Sequence, residues 1–161
     1  MTNTSDITQI VATLKDTATA GFAMAFHIKF TTPTFLLQSY PADWIAFYSQ
    51  NGLVMQDPTV HWGFENIGMI DWADLRSKDP ADVISKAAEH GMAHGITYAV
   101  NEGDSLTVTS FARSDRPFSA QERDTIMSGV NAIHMATLTD NVLNTSVLDD
   151  LKRMAISATL S

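Results

Sequence analysis

Residues 40–60 have the sequence YPADWIAFYSQNGLVMQDPTV, and this stretch decides how the chain is interpreted. Tyr40, Trp44 and Tyr48 are four residues apart, a spacing that places all three side chains on one face of a helix. Nine residues after Tyr48 comes a single acid, Asp57, in an Asp-Pro step. The stretch therefore raises two interpretations of the aromatic face: ordinary hydrophobic core, or the wall of a pocket with Asp57 as its polar anchor.

The composition limits the classes of function. The chain has 161 residues, of which 45% are hydrophobic and 17% charged, as in a globular protein of one domain, residues 1–161. Its net charge is −8 and its ten Lys and Arg residues are scattered, whereas a nucleic-acid-binding surface needs clustered bases. The absence of cysteine excludes disulfides and thiolate metal sites. Since no signal peptide or apolar run of membrane-spanning length is present, we expect a cytoplasmic protein that does not bind DNA directly or insert into a membrane.

The first 52 residues predict a helix, a hairpin and a second helix. Residues 5–20 carry apolar side chains at helical spacing, and residues 21–30 alternate as in a strand with one buried face. The side chains expected on that face are those of Phe22, Met24, Phe26, Ile28 and Phe30. Residues 35–39 predict the second strand of the hairpin, and residues 41–52 predict the helix that carries the aromatic face.

The middle of the chain is less regular. Asp57-Pro58 predicts the start of a short helix, and the residues from there to Trp72 carry no regular pattern. Asp79-Pro80 has the form of an N-cap followed by a proline at the first helical position. We expect that helix to end at Gly91 or Gly95.

The last third predicts a hairpin and two helices. Residues 96–113 form two strand patterns joined by the tight turn NEGD. Ser119 and Glu122 form a capping box that opens a helix of about six turns, residues 119–144. Residues 147–160 predict a final amphipathic helix. The order of elements indicates an antiparallel sheet with helices on both faces.

The sequence gives little support to catalysis. His90 and His94 are spaced to share a zinc ion on a helix, but metalloprotease helices place a glutamate after the first histidine, and here that residue is Gly91. The chain contains no G-x-S-x-G motif, phosphate loop or dinucleotide fingerprint. We therefore expect neither catalytic residues nor a metal site nor a cofactor.

The aromatic face favours a small-molecule site. Buried Tyr and Trp side chains carry polar tips that need partners, which makes three of them a costly way to build a plain core. The indole N–H and the phenol O–H are donors, and the ionised carboxylate of Asp57 is only an acceptor. Together with Trp72, these groups suit a ligand that has carbonyl groups and an N–H between them.

The same residues resemble the autoinducer-binding domain of LuxR-type quorum-sensing transcriptional regulators. The resemblance extends from about Gly21 to about Asn144 and rests on the stretch from Tyr40 to Val60, then Trp72, HGMAHGITYAV, SFAR and RPFSAQE. It implies an α/β fold, an α-β-α sandwich around an antiparallel five-stranded sheet. It also implies that an N-acyl-homoserine lactone is enclosed between the sheet and one helical layer.

The resemblance further implies a role for each site residue. Trp44 would donate to the lactone carbonyl, Asp57 of the Asp-Pro step would accept the amide N–H, and Tyr40 with Ser110 would donate to the acyl carbonyl. Tyr48 and Trp72 would form the walls around the acyl chain and the lactone. Gly95 would begin the strand beside the cavity, and Pro58 belongs to the Asp-Pro step of the family. The acyl chain would lie against the strand 22–30, Leu36, Val54, Met55 and Phe64.

One departure from the family bears on partners. No helix-turn-helix motif follows the last amphipathic segment, so the sequence is interpreted either as a ligand-binding fragment or as a natural single-domain relative. We expect the chain to form a homodimer, or an inhibitory heterodimer with a full-length LuxR-type protein. The alternatives are a protein-interaction module that has lost its ligand and an enzyme that hydrolyses the lactone.

Overall fold

A computed structural model describes residues 4–139 and 143–160, and within these ranges it has six α-helices and six strands. The helices are α1 (Thr4–Thr17), α2 (Ala42–Gln50), α3 (Pro58–Glu65), α4 (Val83–Glu89), α5 (Ala120–Ala136) and α6 (Thr145–Arg153). The strands are β1 (Gly21–Lys29), β2 (Thr32–Gln38), β3 (Gly68–Asp71), β4 (His94–Glu102), β5 (Ser105–Arg113) and β6 (Ser157–Leu160). Two 3₁₀ helices, Leu53–Gln56 and Trp72–Lys78, complete the helical elements.

The strands form one antiparallel sheet in the order β3-β4-β5-β1-β2-β6. Both hairpins predicted from the sequence are confirmed: β1 pairs with β2, and β4 pairs with β5 across a two-residue turn. The expectation of five strands is wrong, because the sheet has six. One unexpected strand, β3, lies in the region without a regular pattern, and the other, β6, lies in the segment expected to be helical.

The final helix stops early because its C-terminus forms a Schellman motif. The amide of Ile156 donates to the carbonyl of Leu151 at 2.9 Å, and the amide of Ala155 donates to that of Lys152 at 3.1 Å. Ala155 has a φ of 60°, the left-handed conformation that this motif requires. The chain then reverses into β6, which pairs with β2. The usual glycine signal is absent, so the amphipathic pattern alone predicted a helix that runs too far.

Helices cover both faces of the sheet, as the sandwich expectation requires. Helices α1, α5 and α6 pack on one face over a core that contains Phe22, Met24 and Phe26. The other face is covered by the segment from α2 to α4, whose core includes Trp44 and Trp72. The apolar sides of α5 and α6 therefore point inward and are buried in the first core.

Strand β1 changes face at a bulge. Phe22, Met24 and Phe26 are fully buried on the face predicted for them, but the register with β5 shifts between Ala25 and Ile28. His27 occupies the bulge with a φ of 53°. Ile28 consequently moves to the opposite face, and Phe30 is completely exposed in the turn. The expectation that the last two residues share the buried face is wrong, because a bulge inserts one residue into the alternation.

Helix termini differ from the sequence predictions in detail. The capping box of Ser119 and Glu122 is confirmed, with both reciprocal hydrogen bonds present. Helix α5 ends at Ala136, earlier than expected, and residues 140–142 of the predicted helix lie outside the described residues. Helix α4 begins at Val83 instead of directly after Asp79. The Asp79 carboxylate nevertheless accepts from the amides of Val83 and Ile84, so it caps the helix from a distance.

Candidate ligand-binding site

A cavity of about 390 Å³ lies between the sheet and the layer that contains α2, α3 and α4. Its floor consists of side chains from β1, β2 and β5 on the face opposite the main core. Strand pairing arranges them in three rows: Ser110, Ala23 and Gln38; Val108, Ala25 and Leu36; Ile28 and Pro33. The floor is therefore polar at one end and apolar towards the other.

Aromatic side chains of α2 and of the residues before it form part of the roof. The expectation that Tyr40 shares a helical face with Trp44 and Tyr48 is wrong, because α2 begins at Ala42 and Pro41 has extended backbone angles. Tyr40, Trp44 and Tyr48 all line the cavity, and they also pack in the hydrophobic core of this face of the sheet. Trp44 is 4% exposed, and its ring centroid lies 5.8 Å from that of Tyr48 and 5.1 Å from that of His90. These contacts fix the indole between the helix and the C-terminus of α4.

Asp57 is buried at the edge of the cavity and is held by three hydrogen bonds. Its Oδ1 accepts from the amide of Thr59 at 2.9 Å and from the Thr59 hydroxyl at 2.7 Å, which also caps helix α3. Its Oδ2 accepts from the Tyr48 hydroxyl at 2.8 Å. An ionised carboxylate has about four acceptor positions, so one position remains for a donor in the cavity.

The electrostatics of the site follow from burial. Removal from water raises the pKa of Asp57, and the hydrogen bonds from Thr59 and Tyr48 act in the opposite direction. Burial also raises the pKa of Tyr40 and Tyr48, with a further contribution from the neighbouring Asp57 charge. Both phenols therefore stay protonated at neutral pH and can act as donors.

A second polar chain ends at the other side of the cavity. The indole N–H of Trp72 donates to Thr97 Oγ1 at 3.1 Å, and Thr97 Oγ1 lies 2.7 Å from Ser110 Oγ. Trp72 and Ser110 line the cavity, and Thr97 lies behind them and is fully buried. Because the indole N–H of Trp72 is already bonded, this ring serves as a wall and not as a ligand donor.

Three residues expected at the site lie outside the cavity lining. Pro58 is buried at the first position of α3, and Met55 is 77% exposed to solvent. Gly95 lies under the Trp72 ring, where an added Cβ would be 2.0 Å from the nearest ring carbon. A side chain at position 95 would therefore displace the Trp72 ring, and we call this position the seat of Trp72. Gly95 supports the cavity wall through Trp72 and does not contact the cavity itself.

Sequence reasoning missed several polar residues of the site, among them Thr59, Thr97 and Gln38. Thr59 fixes the Asp57 carboxylate, Thr97 connects Trp72 to Ser110, and Gln38 lies in the polar row of the floor. Thr59 carried a usable signal, since an Asp two residues before a threonine at a helix start predicts a side-chain cap. Thr97 and Gln38 carried none, because only strand pairing brings them to the cavity.

The structure separates the histidine pair that had suggested zinc. Helix α4 ends at Glu89, so His90 follows the helix and His94 begins β4. In residues 4–139 and 143–160, no cluster of three or more metal-ligating side chains is positioned to hold an ion. Among the same residues, no helix is both long and apolar enough to cross a bilayer.

Comparison with known proteins identifies a family that matches most of the chain. The profile of the autoinducer-binding domain family matches residues 8–137. The transcriptional activator protein PhzR of Pseudomonas fluorescens is 26% identical over 120 residues, which are 73% of this chain. The match covers 49% of PhzR, so this chain spans about half the length of that relative.

Solved structures share the fold. SdiA in complex with octanoyl-rac-glycerol superposes with a TM-score of 0.60 and 17% identity, over 96% of this chain and 62% of SdiA. CepR2 of Burkholderia cenocepacia, an N-acylhomoserine-lactone-dependent LuxR family transcription factor, superposes with a TM-score of 0.61 and 17% identity. That superposition covers 83% of this chain and 81% of CepR2. The family profile that matches residues 8–137 confirms the resemblance found in the sequence, and the chain belongs to the autoinducer-binding domain family.

Proposed function

We propose that this chain is a cytoplasmic sensor that binds an N-acyl-homoserine lactone in the cavity between the sheet and the α2–α4 layer. The observation that carries the proposal is the Asp57 carboxylate, which is buried beside an apolar cavity with three hydrogen bonds and one acceptor position left. A buried charge needs donors on all sides, and the amide N–H of an acyl-homoserine lactone supplies the missing one.

The other polar groups match the carbonyl oxygens of the same ligand. The Trp44 indole N–H donates to the lactone carbonyl, and the Tyr40 hydroxyl donates to the acyl carbonyl. Ser110 is a second donor to the acyl carbonyl. The Thr97 hydroxyl accepts a hydrogen bond from the Trp72 indole and donates one to the Ser110 oxygen. The Ser110 proton is then directed into the cavity. Tyr48 contributes through Asp57, whose Oδ2 it holds in place.

Thermal unfolding with a series of acyl-homoserine lactones tests the proposal. A ligand present at 100 times its Kd stabilises the folded state by about 2.7 kcal/mol, which raises the Tm of a chain of this size by roughly 5–10 °C. Mass spectrometry of the purified protein first excludes a ligand carried over from expression. If no lactone moves the Tm of ligand-free protein, the proposed ligand class is wrong.

Two substitutions test the residue assignments. Trp44→Phe keeps most of the packing and removes one donor, so we expect weaker binding by a folded protein, with a loss of about 1 kcal/mol or more. Trp62→Phe is the matched control, because Trp62 is half-buried but does not line the cavity. Asp57→Asn replaces one acceptor oxygen with an N–H₂ group, which faces the donors of the protein and of the ligand amide. We expect it to weaken lactone binding more than Trp44→Phe does. Unchanged affinity in both site variants would disprove the assignment.

The proposal extends to regulation. PhzR is a transcriptional activator, and we propose that ligand binding in this chain is coupled to folding and to dimerisation with a second copy or a full-length LuxR-type protein. The apolar sides of α5 and α6 are buried in the core, so the dimer has to use their outer surface or another face. Co-expression with a full-length relative tests the heterodimer, which is disproved if DNA binding by the relative is unaffected.

A further inference from the structure

The residues that line the cavity differ in their exposure to solvent. Trp44, Asp57 and Trp72 are each at most 8% exposed, whereas two apolar lining residues are much more accessible: Val54 at 48% and Phe64 at 39%. Thr31, which follows the third row of the floor in the β1–β2 turn, also lines the cavity and is exposed. We name these three exposed residues the mouth of the cavity; a fourth exposed lining residue, Ser49, belongs to α2.

The bulge in β1 and a glycine in α3 shape this end. Because His27 inserts one residue, Ile28 points into the cavity beside Pro33 and extends the apolar floor towards the turn. Gly63 lets α3 lie directly on Val108, since an added Cβ would be 2.4 Å from that side chain. Phe64, the next residue of α3, lines the cavity and is 39% exposed, so this helix contributes an accessible aromatic ring to the cavity wall.

The length of the floor can be worked out from strand register. Ser110 pairs with Ala23 in the polar row, and Leu106 pairs with Ile28 in the last row. Four residues of β5 separate the two pairs, which corresponds to about 13 Å. An extended chain advances about 1.2 Å per single bond, so about eleven bonds connect the polar row to the last row of the floor.

We infer that the ligand is a long-chain acyl compound of about ten to twelve carbons or more, whose terminal carbons reach the mouth formed by Thr31, Val54 and Phe64. This inference rests on the proposed function and specifies its ligand class. Shorter chains leave the last row uncovered. Longer chains extend through the mouth without a clash, so the site has no upper limit on acyl length.

The test is a chain-length series with the wild-type protein. Dissociation constants are measured by isothermal titration calorimetry for N-butanoyl- to N-tetradecanoyl-homoserine lactone. We expect affinity to rise by up to about fourfold per buried methylene to ten or twelve carbons, and then to level off. Affinity that peaks at six or eight carbons and falls for longer chains overturns the inference but leaves the proposed function intact. Failure of every lactone to bind overturns both.

A pair of neighbouring variants tests the mouth itself. Val54→Trp fills the opening, and we expect it to weaken binding of the twelve- and fourteen-carbon lactones at least tenfold while four- and six-carbon lactones change less than twofold. Met55→Trp is the control, because Met55 is exposed but does not line the cavity. Equal losses at all lengths in Val54→Trp, or no loss at any length, would place the chain terminus elsewhere.

Discussion

Replacing Ala155 with glycine distinguishes the observed end of α6 from the continuous helix that the sequence pattern suggests. Ala155 has a φ of 60° at the C′ position of the Schellman motif, between the end of α6 and β6. In a helix over residues 147–160 the same alanine would lie in the interior. Glycine stabilises the first conformation and destabilises the second, so the sign of the effect identifies the structure.

The magnitude follows from two opposing contributions. A left-handed conformation costs a non-glycine residue about 1–2 kcal/mol, and glycine removes that strain. Glycine also increases the entropy of the unfolded chain, which costs about 0.4–1 kcal/mol. We therefore expect Ala155→Gly to stabilise the protein by about 0.5–1 kcal/mol and to raise the Tm by roughly 1–4 °C. In a helix interior the same change would destabilise the protein by about 1 kcal/mol.

Urea unfolding followed by circular dichroism measures the effect, with m-values compared to verify that the unfolding transition is unchanged. Ala132→Gly is the matched control, because Ala132 lies inside α5 and is half-buried. We expect Ala132→Gly to lower the free energy of unfolding by about 1 kcal/mol. Destabilisation of similar size in both variants would refute the Schellman motif and, with it, the origin of the sixth strand.

Two further predictions concern the bulge and the seat of Trp72. Burial, followed by the charge of the adjacent His134, lowers the pKa of His27 to about 4. The neutral His27 therefore contributes its full share to the free energy of unfolding above pH 6.5. That free energy decreases by roughly 1–3 kcal/mol as the pH falls towards 4, because the unfolded chain binds the proton more readily. Asparagine tolerates the left-handed backbone, so His27→Asn should fold and should reduce the pH dependence of the free energy of unfolding, measured by urea titration. If that pH dependence is unchanged, it arises from other groups. Gly95→Ala should displace the Trp72 ring, lower the free energy of unfolding by about 1–3 kcal/mol and weaken lactone binding. The control, Gly129→Ala in α5, should leave lactone binding unchanged. Normal lactone binding by a folded Gly95→Ala protein would contradict the proposed seat.

Local signals predicted the parts of the fold that local interactions determine. The hairpin of β4 and β5 and the capping box at Ser119 depend on residues close together in sequence, and both are confirmed. The strand β3 was missed because its four residues are all half-buried and show no alternation. The bulge at His27 was missed because the residue fits an alternating pattern, and only pairing with β5 reveals the register shift.

The candidate site divides in the same way. The spacing of Trp44 and Tyr48 places them on one face of α2, so their common direction was predictable, whereas Tyr40 precedes the helix and reaches the cavity through the bend at Pro41. The hydrogen bond from Tyr48 to Asp57 was not, because it depends on how the segment after α2 returns to the helix. The chain from Trp72 through Thr97 to Ser110 joins residues of three elements and likewise has no sequence signature.

The two ends of the cavity imply different kinds of selectivity. At the polar end, Asp57 is oriented by fixed hydrogen bonds, so a ligand without a matching donor leaves a buried charge incompletely paired. Sites of this kind can discriminate between ligands by about 10⁴-fold or more. At the apolar end, near Ile28 and Val54, contact is made through hydrophobic area alone, and each methylene changes affinity by only about fourfold. The head group of the ligand should therefore be selected strictly and its chain length only by degree, because polar groups with fixed partners cannot adjust, whereas an open apolar floor accepts whatever length reaches it.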